Sequence, residues 1–236
     1  MKIGVTERGD AALDLNWKLK IPYVDGFILI TKDPAKLLDK YSTFPSNSMV
    51  HCVITGYGGT PLEPNVPNPE ISLKAYDRLI DALGPDRVVL RIDPIIIEPE
   101  YRQPLDVIKR SRGRVRVSFI DLYPHVRDRF RTAGIHFAHL DDMSFHYSLD
   151  KRKATYDQLN IINPSPYRVE VCGEPGLPCF GCVSSSDLNA MGLSADNLSG
   201  TKNLQRFDCT CIAEKVELLD NKKRCFHNCQ YCYWKD

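Results

Sequence analysis

NPEISLKAYDRLIDALGPDRVVLRIDPI, residues 68–95, changes its period half-way along, and that change decides the fold class. The first part carries Ile71, Leu73, Tyr76, Leu79, Ile80 and Leu83 at helical spacing, with Gly84 placed to cap the C-terminus. The second part, RVVLRI (87–92), is a near-continuous apolar run, the pattern of a strand covered on both faces. A helix feeding such a strand is one step of a βα repeat, and repetition of that step builds a parallel sheet.

The step recurs on both sides. Upstream lie KIGVT (2–6), GFILI (26–30) and MVHCVIT (49–55); downstream lie RVRVSFI (114–120) and YRVEV (167–171). DPAKLLDKY (33–41) opens with Asp33 as an N-cap and Pro34 at the first helical position, and segments 101–112, 122–133 and 150–161 are further helix candidates. Nothing like G-x-G-x-x-G follows the first strand, and no P-loop occurs, so nucleotide-binding doubly wound folds lose ground. The expectation is an α/β protein: a partial, about six-stranded β/α barrel over residues 1–171, followed by a cysteine-rich segment over 172–236.

In such barrels function collects at the C-terminal ends of the strands. Those ends read Thr6-Glu7-Arg8, Thr31-Lys32-Asp33, Thr55-Gly56-Tyr57, Arg91-Ile92-Asp93, Asp121-Leu122-Tyr123 and Cys172-Gly173-Glu174, with Glu63 following the third. Any one of these charges explains itself as a helix cap. As a set they suit the lining of a cavity, with Lys32, Glu63, Arg91 and Asp93 as pocket candidates.

A formal net charge of +1 gives no overall pull towards nucleic acid or membrane. The first residues turn polar after five positions, and the longest apolar runs are far too short to span a bilayer. A cytoplasmic protein is expected, and its nine cysteines are then not a disulfide framework. Only Cys52, a buried small residue within a strand, lies before Cys172; the other eight fall between Cys172 and Cys232, which points to metal. His136, His139, Asp141, Asp142 and His146 are read as a solvated loop.

The ligand groups are Cys172, then Cys179 and Cys182, then Cys209 and Cys211, then Cys225, Cys229 and Cys232. The last three are spaced Cys-x3-Cys-x2-Cys, which is neither the paired form of structural zinc nor a bacterial ferredoxin run. Three thiolates so spaced can hold three irons of a [4Fe–4S] cluster and leave the fourth open, and an open position implies chemistry.

Cys225-Phe-His-Asn-Cys229-Gln-Tyr231-Cys232 resembles the radical S-adenosylmethionine signature, Cys-x3-Cys-x-aromatic-Cys. The resemblance implies a β/α barrel, a [4Fe–4S] cluster whose free iron chelates S-adenosyl-L-methionine, and reductive cleavage to a 5′-deoxyadenosyl radical that abstracts hydrogen. It also implies an electron donor of flavodoxin or ferredoxin type. In that superfamily the cysteine loop follows the first strand, whereas here it comes last, so a circular permutation is expected. Gly58-Gly59-Thr60, an echo of a Gly-Gly-Glu motif, is read as a turn.

A closer resemblance runs through ILITKDP (28–34), ITGYGGTPLEPNVP (54–67), RVVLRIDPI (87–95), VSFIDLY (117–123), CGE (172–174), QRFDCTC (205–211) and CFHNCQYCY (225–233). On these the chain is identified as a member of the prokaryotic family called domain of unknown function 1848. The family suggests Cys172, Cys182, Cys209 and Cys211 as a second ligand set, for a second cluster or for zinc, with Cys179 an extra that leaves the choice between Cys179 and Cys182 open. Arg-Ile-Asp-Pro also resembles a stretch in spore photoproduct lyase. By resemblance the backbone at Tyr231 would lie against adenine; Arg91 and Asp93, leaving the fourth strand together, suit the methionine carboxylate and a ribose hydroxyl by their chemistry, with a structural Arg–Asp pair as the alternative.

The substrate is the least legible part. Arg102, Lys109, Arg110, Arg112, Arg114 and Arg116, then Arg127, Arg129 and Arg131, then Lys151, Arg152 and Lys153 concentrate positive charge that would suit a nucleic acid or a modified nucleobase. Thirty acidic residues balance it, and charge runs are usually solvated faces. The competing expectations are a metal-stapled nucleic-acid-binding module without catalysis, and an electron carrier, for which an open-site triad has no use.

Overall fold

A computed structural model describes residues 1–194, 210–211, 214–220 and 225–235. Cys209 lies outside them.

The 68–95 stretch folds as its period dictates. Helix α2 (Pro69–Leu83) starts where the Asn68 side chain accepts from the Glu70 N–H at 2.9 Å. It stops at Gly84, whose φ of 88° suits glycine and whose N–H donates to the Ile80 carbonyl at 2.8 Å. Leu73, Tyr76, Leu79 and Ile80 are buried, while Ile71 is 54% exposed, so the apolar stripe is narrower than the sequence suggests. Strand β4 (Val88–Ile95) follows. Helix α1 (Pro34–Leu38) is capped in the same way, with Asp33 accepting from the Lys36 N–H at 3.0 Å.

Around them stand β1 (Lys2–Val5), β2 (Gly26–Thr31), β3 (Ser48–Val53), β5 (Val115–Phe119) and β6 (Glu170–Val171), with α3 (Gln103–Ile108), α4 (Pro124–Thr132), α5 (Ala138–Asp141), α6 (Leu149–Ile162) and α7 (Ser185–Ala190). A seventh strand, β7 (Glu214–Glu217), was not legible in the sequence. Its EKVE has no apolar run because its stability comes from pairing: it lies parallel to β1, with Ile3 opposite Lys215, and Lys215 makes an ion pair with Glu7. The sheet is parallel throughout, ordered β6-β5-β4-β3-β2-β1-β7, and curls as a half-barrel. The 172–236 segment therefore contributes one of the two sheet edges.

The alternation of each strand divides the interior. Phe27, Leu29, Val50, Cys52, Leu90, Ile92, Val115 and Val117 pack under α1, α2, α3 and α6. The opposite face is apolar on one side, where Ile3, Val5, Ile28, Met49 and Val89 meet Leu188 and Met191 at α7. On its other side it is ionic. Arg114 reaches Glu170 and Asp187, each at 2.8 Å, and Arg116 reaches the same pair at 2.5 and 3.1 Å. Each charge in this network has two opposite partners, the condition under which buried ions are tolerated. Burial, then the neighbouring Arg116 charge, holds the imidazole of His51 well below its ordinary pKa, so it adds no charge there.

Candidate metal centre and cavity

The C-terminal strand ends surround a cavity of about 1330 Å³, its open mouth included, lined by Glu7, Asp10, Lys32, Arg91, Asp93 and Asp121 from four strands or their exits and by cysteines from two separate segments. Residues 225–235 form one wall. Cys225, Cys229 and Cys232 all face the cavity; Cys229 is buried and the other two are half-buried.

This loop is held from three sides. From the β3–α2 connection, the Leu62 carbonyl accepts from the Gln230 N–H at 2.9 Å and the Asn65 amide donates to the Phe226 carbonyl at 2.7 Å. From α4, the Arg129 guanidinium reaches the Cys232 and Lys235 carbonyls, and His125 lies 3.1 Å from the Tyr233 carbonyl. From the β1 exit, Arg8 stacks 4.4 Å over the Trp234 ring. Asn228, with φ 54°, makes the turn between the first two cysteines.

His227, inside the Cys-x3-Cys interval, is a fixed point. Its ring nitrogens face the Asp10 carboxylate at 2.8 Å and the Asn65 carbonyl at 3.4 Å, and both side chains of the His227–Asp10 pair are buried. Asp10 also accepts from the Thr31 hydroxyl and the Lys32 N–H, each at 2.8 Å. Burial works against its charge, yet the His227 hydrogen bond and charge outweigh it and hold the Asp10 pKa below its ordinary value.

Beneath the loop, three residues singled out separately in the sequence meet. Lys32 Nζ lies 2.7 Å from Glu63 and 2.6 Å from the Tyr231 hydroxyl, which itself donates to Glu63. The Thr55 hydroxyl donates to the other Glu63 oxygen at 2.8 Å. Burial opposes the Lys32 charge, but Glu63, with Cys229 nearby, raises its pKa; burial and the Glu63 charge raise that of Tyr231 well above normal. Lys32 is thus a fixed cation and Tyr231 a neutral phenol.

Arg91 and Asp93 leave β4 as a pair, two guanidinium nitrogens sharing one carboxylate oxygen at 3.0 and 2.7 Å, while the Ser118 hydroxyl donates to the other oxygen at 2.5 Å. Burial opposes the Asp93 charge, and Arg91 and Ser118 overcome it, so its pKa is lowered. Arg91 NH1 is buried without a hydrogen-bond partner among the described residues.

The opposite wall carries the second cysteine group. Cys172 follows β6, and its sulfur lies 3.1 Å from that of Cys182. Hydrogen bonds from Cys172 and then Cys211 hold the Cys182 thiol well below its ordinary pKa, while the bond to Cys182 pushes Cys172 up. Cys179 is turned to the Glu174 backbone, accepting from its N–H at 3.1 Å and donating to its carbonyl at 3.0 Å. Gly181 is glycine for a steric reason: a Cβ there would stand 2.5 Å from the Cys211 nitrogen. None of the eight described cysteines forms a disulfide, and among the described residues no group of three or more His, Cys, Asp or Glu is placed so that it could hold a single metal ion.

Other expectations resolve differently. His139 is not in a solvated loop: it is 1% exposed, its ring stacked 3.8 Å from that of Tyr147. The basic run divides between interior and surface, with Arg102, Lys151 and Lys153 exposed. Arg114, Arg116 and Arg152 are buried in ion pairs, and Arg127 is buried on the Leu140 and Ser144 carbonyls. Lys109, Arg110, Arg112 and Arg131 pair with nearby carboxylates. Gly58-Gly59-Thr60 is a turn, closed by Thr60 N–H to the Tyr57 carbonyl at 2.9 Å. Asp10, His227 and Ser118 were missed; of these only His227, enclosed by two cysteines, carried a signal. Among the described residues no helix is long and apolar enough to cross a membrane.

The family described as Domain of unknown function (DUF1848) matches residues 14–234. No curated protein and no solved structure matches significantly.

Proposed function

The chain belongs to the domain of unknown function 1848 family, and from that premise we propose that it is a radical S-adenosylmethionine enzyme whose reducing centre is held by Cys225, Cys229 and Cys232. The observation that carries the proposal is the position of the triad: one firmly held loop, following β7, that turns three thiols onto the cavity at the C-terminal strand ends. Counted from β7, the strand order becomes consecutive, β7-β1-β2-β3-β4-β5-β6, with the cysteine loop after an edge strand. A circular permutation of the usual arrangement accounts for that order.

A [4Fe–4S] cluster on these thiolates would bind S-adenosyl-L-methionine at its open iron and supply the electron that releases a 5′-deoxyadenosyl radical. The protein's own contribution is placement and charge. Asp10 and His227 clamp the loop; Lys32, Glu63 and Tyr231 support it from below and keep a fixed cation beside Cys229. Asp93, kept ionised by Arg91, offers an acceptor for a ribose hydroxyl, and the carboxylates of Glu7 and Asp121 on the same lining suit a cationic cofactor. A flavodoxin- or ferredoxin-type donor would supply the electron. The substrate would occupy the rest of the cavity; a nucleic acid or modified nucleobase draws no support from the buried arginines.

The test is anaerobic. The chain is reconstituted with iron and sulfide, given S-adenosyl-L-methionine and dithionite, and assayed for 5′-deoxyadenosine. Formation that disappears in Cys229→Ala supports the proposal; no cleavage by a chain carrying a complete triad cluster overturns it.

A further inference from the structure

The sulfurs of Cys172 and Cys182 meet at 3.1 Å on the cavity wall opposite the terminal loop. Among the described residues no third ligand stands with them to make a single-ion site, so the contact is one between two thiols. Both are free, Cys182 buried and Cys172 half-buried, and both line the cavity.

Backbone sets this contact. Cys172 follows β6, and its N–H donates to the Val117 carbonyl of β5 at 3.0 Å. A parallel bridge between Val171 and Cys179, with the Phe180 N–H donating to the Val171 carbonyl at 2.6 Å, ties the second segment to the first. Cys182 is fixed from its far side as well. Arg116 donates to its carbonyl at 3.1 Å, and Ser184 caps α7 through reciprocal hydrogen bonds with Asp187. A sulfur–sulfur bond is about 2 Å long, so closure asks the two side chains to share a movement of about 1 Å.

The surroundings assign unequal roles. Cys182 accepts a hydrogen bond from the Cys172 thiol, and the charges of Arg91 and Lys215 act on the same sulfur. A sulfur so placed is the nucleophile, and a second thiol in contact with it is its resolving partner. Cys179 is held away from the pair: its sulfur accepts from the Glu174 N–H at 3.1 Å and donates to the Glu174 carbonyl at 3.0 Å.

We propose that Cys172 and Cys182 form a redox-active dithiol, which a small peroxide converts to a disulfide on the cavity wall. The Cys182 sulfur attacks one peroxide oxygen, the O–O bond breaks, and a sulfenic acid forms while the departing hydroxide takes up the Cys182 proton as water. The Cys172 sulfur then attacks the sulfenic sulfur; the S–S bond forms, the S–O bond breaks, and a second water leaves with the Cys172 proton. Each thiol gives up one electron and the peroxide accepts both. A dithiol reductant returns the pair by thiol–disulfide exchange. This departs from the second ligand set that the family resemblance suggests, and it does not rest on the function proposed for the triad.

The test uses the full chain, prepared anaerobically, treated with roughly stoichiometric hydrogen peroxide, alkylated and mapped by mass spectrometry. Proteolysis after Glu174 separates Cys172 from Cys182, so fragments that stay joined until a dithiol is added report the bond. Joined fragments are expected in wild type and in Cys179→Ser, and none in Cys182→Ser. Cys172→Ser, which lacks the resolving thiol, should hold Cys182 as a sulfenic acid that dimedone captures. Should Cys172→Ser or Cys182→Ser not fold, the map of Cys179→Ser decides alone. Both thiols still alkylated after peroxide would overturn the proposal, as would a bond from Cys182 to Cys211. So would iron or zinc in the anaerobic chain that is lost when Cys172 or Cys182 alone is replaced, since the sulfurs would then belong to a metal.

Discussion

The Lys32 ammonium stands 2.6 Å from the Tyr231 hydroxyl, across 199 residues of sequence. Both act on Glu63, which is 1% exposed, so the exit of β2, the connection after β3 and the terminal cysteine loop share one buried carboxylate. The loop that carries the triad is thereby fastened to the sheet through charge as well as backbone.

Removing either partner of Glu63 should have unequal consequences. Tyr231→Phe deletes one neutral donor and is expected to cost about 1–2 kcal/mol. Lys32→Met strands a buried carboxylate and is expected to cost about 3–5 kcal/mol. Denaturant unfolding of both, with Lys32→Met/Glu63→Gln recovering much of the larger loss, checks the assignment; equal costs would contradict it.

The Asp10–His227 pair predicts an acid-side weakness. The Asp10 pKa is lowered on folding, so its contribution is present above its unfolded value of 3.8 and lost as pH falls through the folded one. Asp10→Asn should remove that part of the acid dependence at a cost of about 1–3 kcal/mol at neutral pH. Proteolysis should cut the 225–235 loop of this variant sooner than wild type.

Glu217 of β7 predicts the opposite slope. Burial pushes its carboxyl from 4.5 up to about 7, helped by the like charge of Glu7. A raised acid stabilises below the unfolded value, and stability is lost as pH rises towards 7. Wild type should lose roughly 1–3 kcal/mol across that window, after allowance for partial exposure. Glu217→Gln should flatten the slope, as followed by urea midpoints from pH 4.5 to pH 7.

Gly181→Ala is expected to be costly out of proportion to one methyl group. The new Cβ meets the Cys211 backbone at 2.5 Å, and neither segment yields easily because Phe180 donates to the Val171 carbonyl beside it. A loss of about 1–3 kcal/mol in denaturant unfolding is predicted, while alanine at Gly59, where a Cβ meets nothing, should displace neither cysteine segment.

Much of the frame was legible because local chemistry announced it. Asn68, Pro69 and Gly84 mark both ends of α2, and Asp33 with Pro34 the start of α1. Strand β6 shrinks from the expected 167–171 to Glu170–Val171, and β7 was invisible, because both edges owe their place to partners distant in sequence. In the site, Lys32, Glu63 and Tyr231 could each be picked out by type and position, yet their mutual contact is a product of the fold. Cys179 is turned to the Glu174 backbone and Cys182 to Cys172, a difference that spacing does not encode.

The parallel pairing of Ile3 with Lys215 also has a kinetic meaning. Strands β1 to β5 each find a neighbour close in sequence, whereas β7 docks only after nearly the whole chain has been brought back upon itself, the slow kind of contact. It should therefore form after the rate-limiting barrier. Weakening β7 would then leave the refolding rate unchanged and hasten unfolding, so the lifetime of the native molecule is set at the last seam to close.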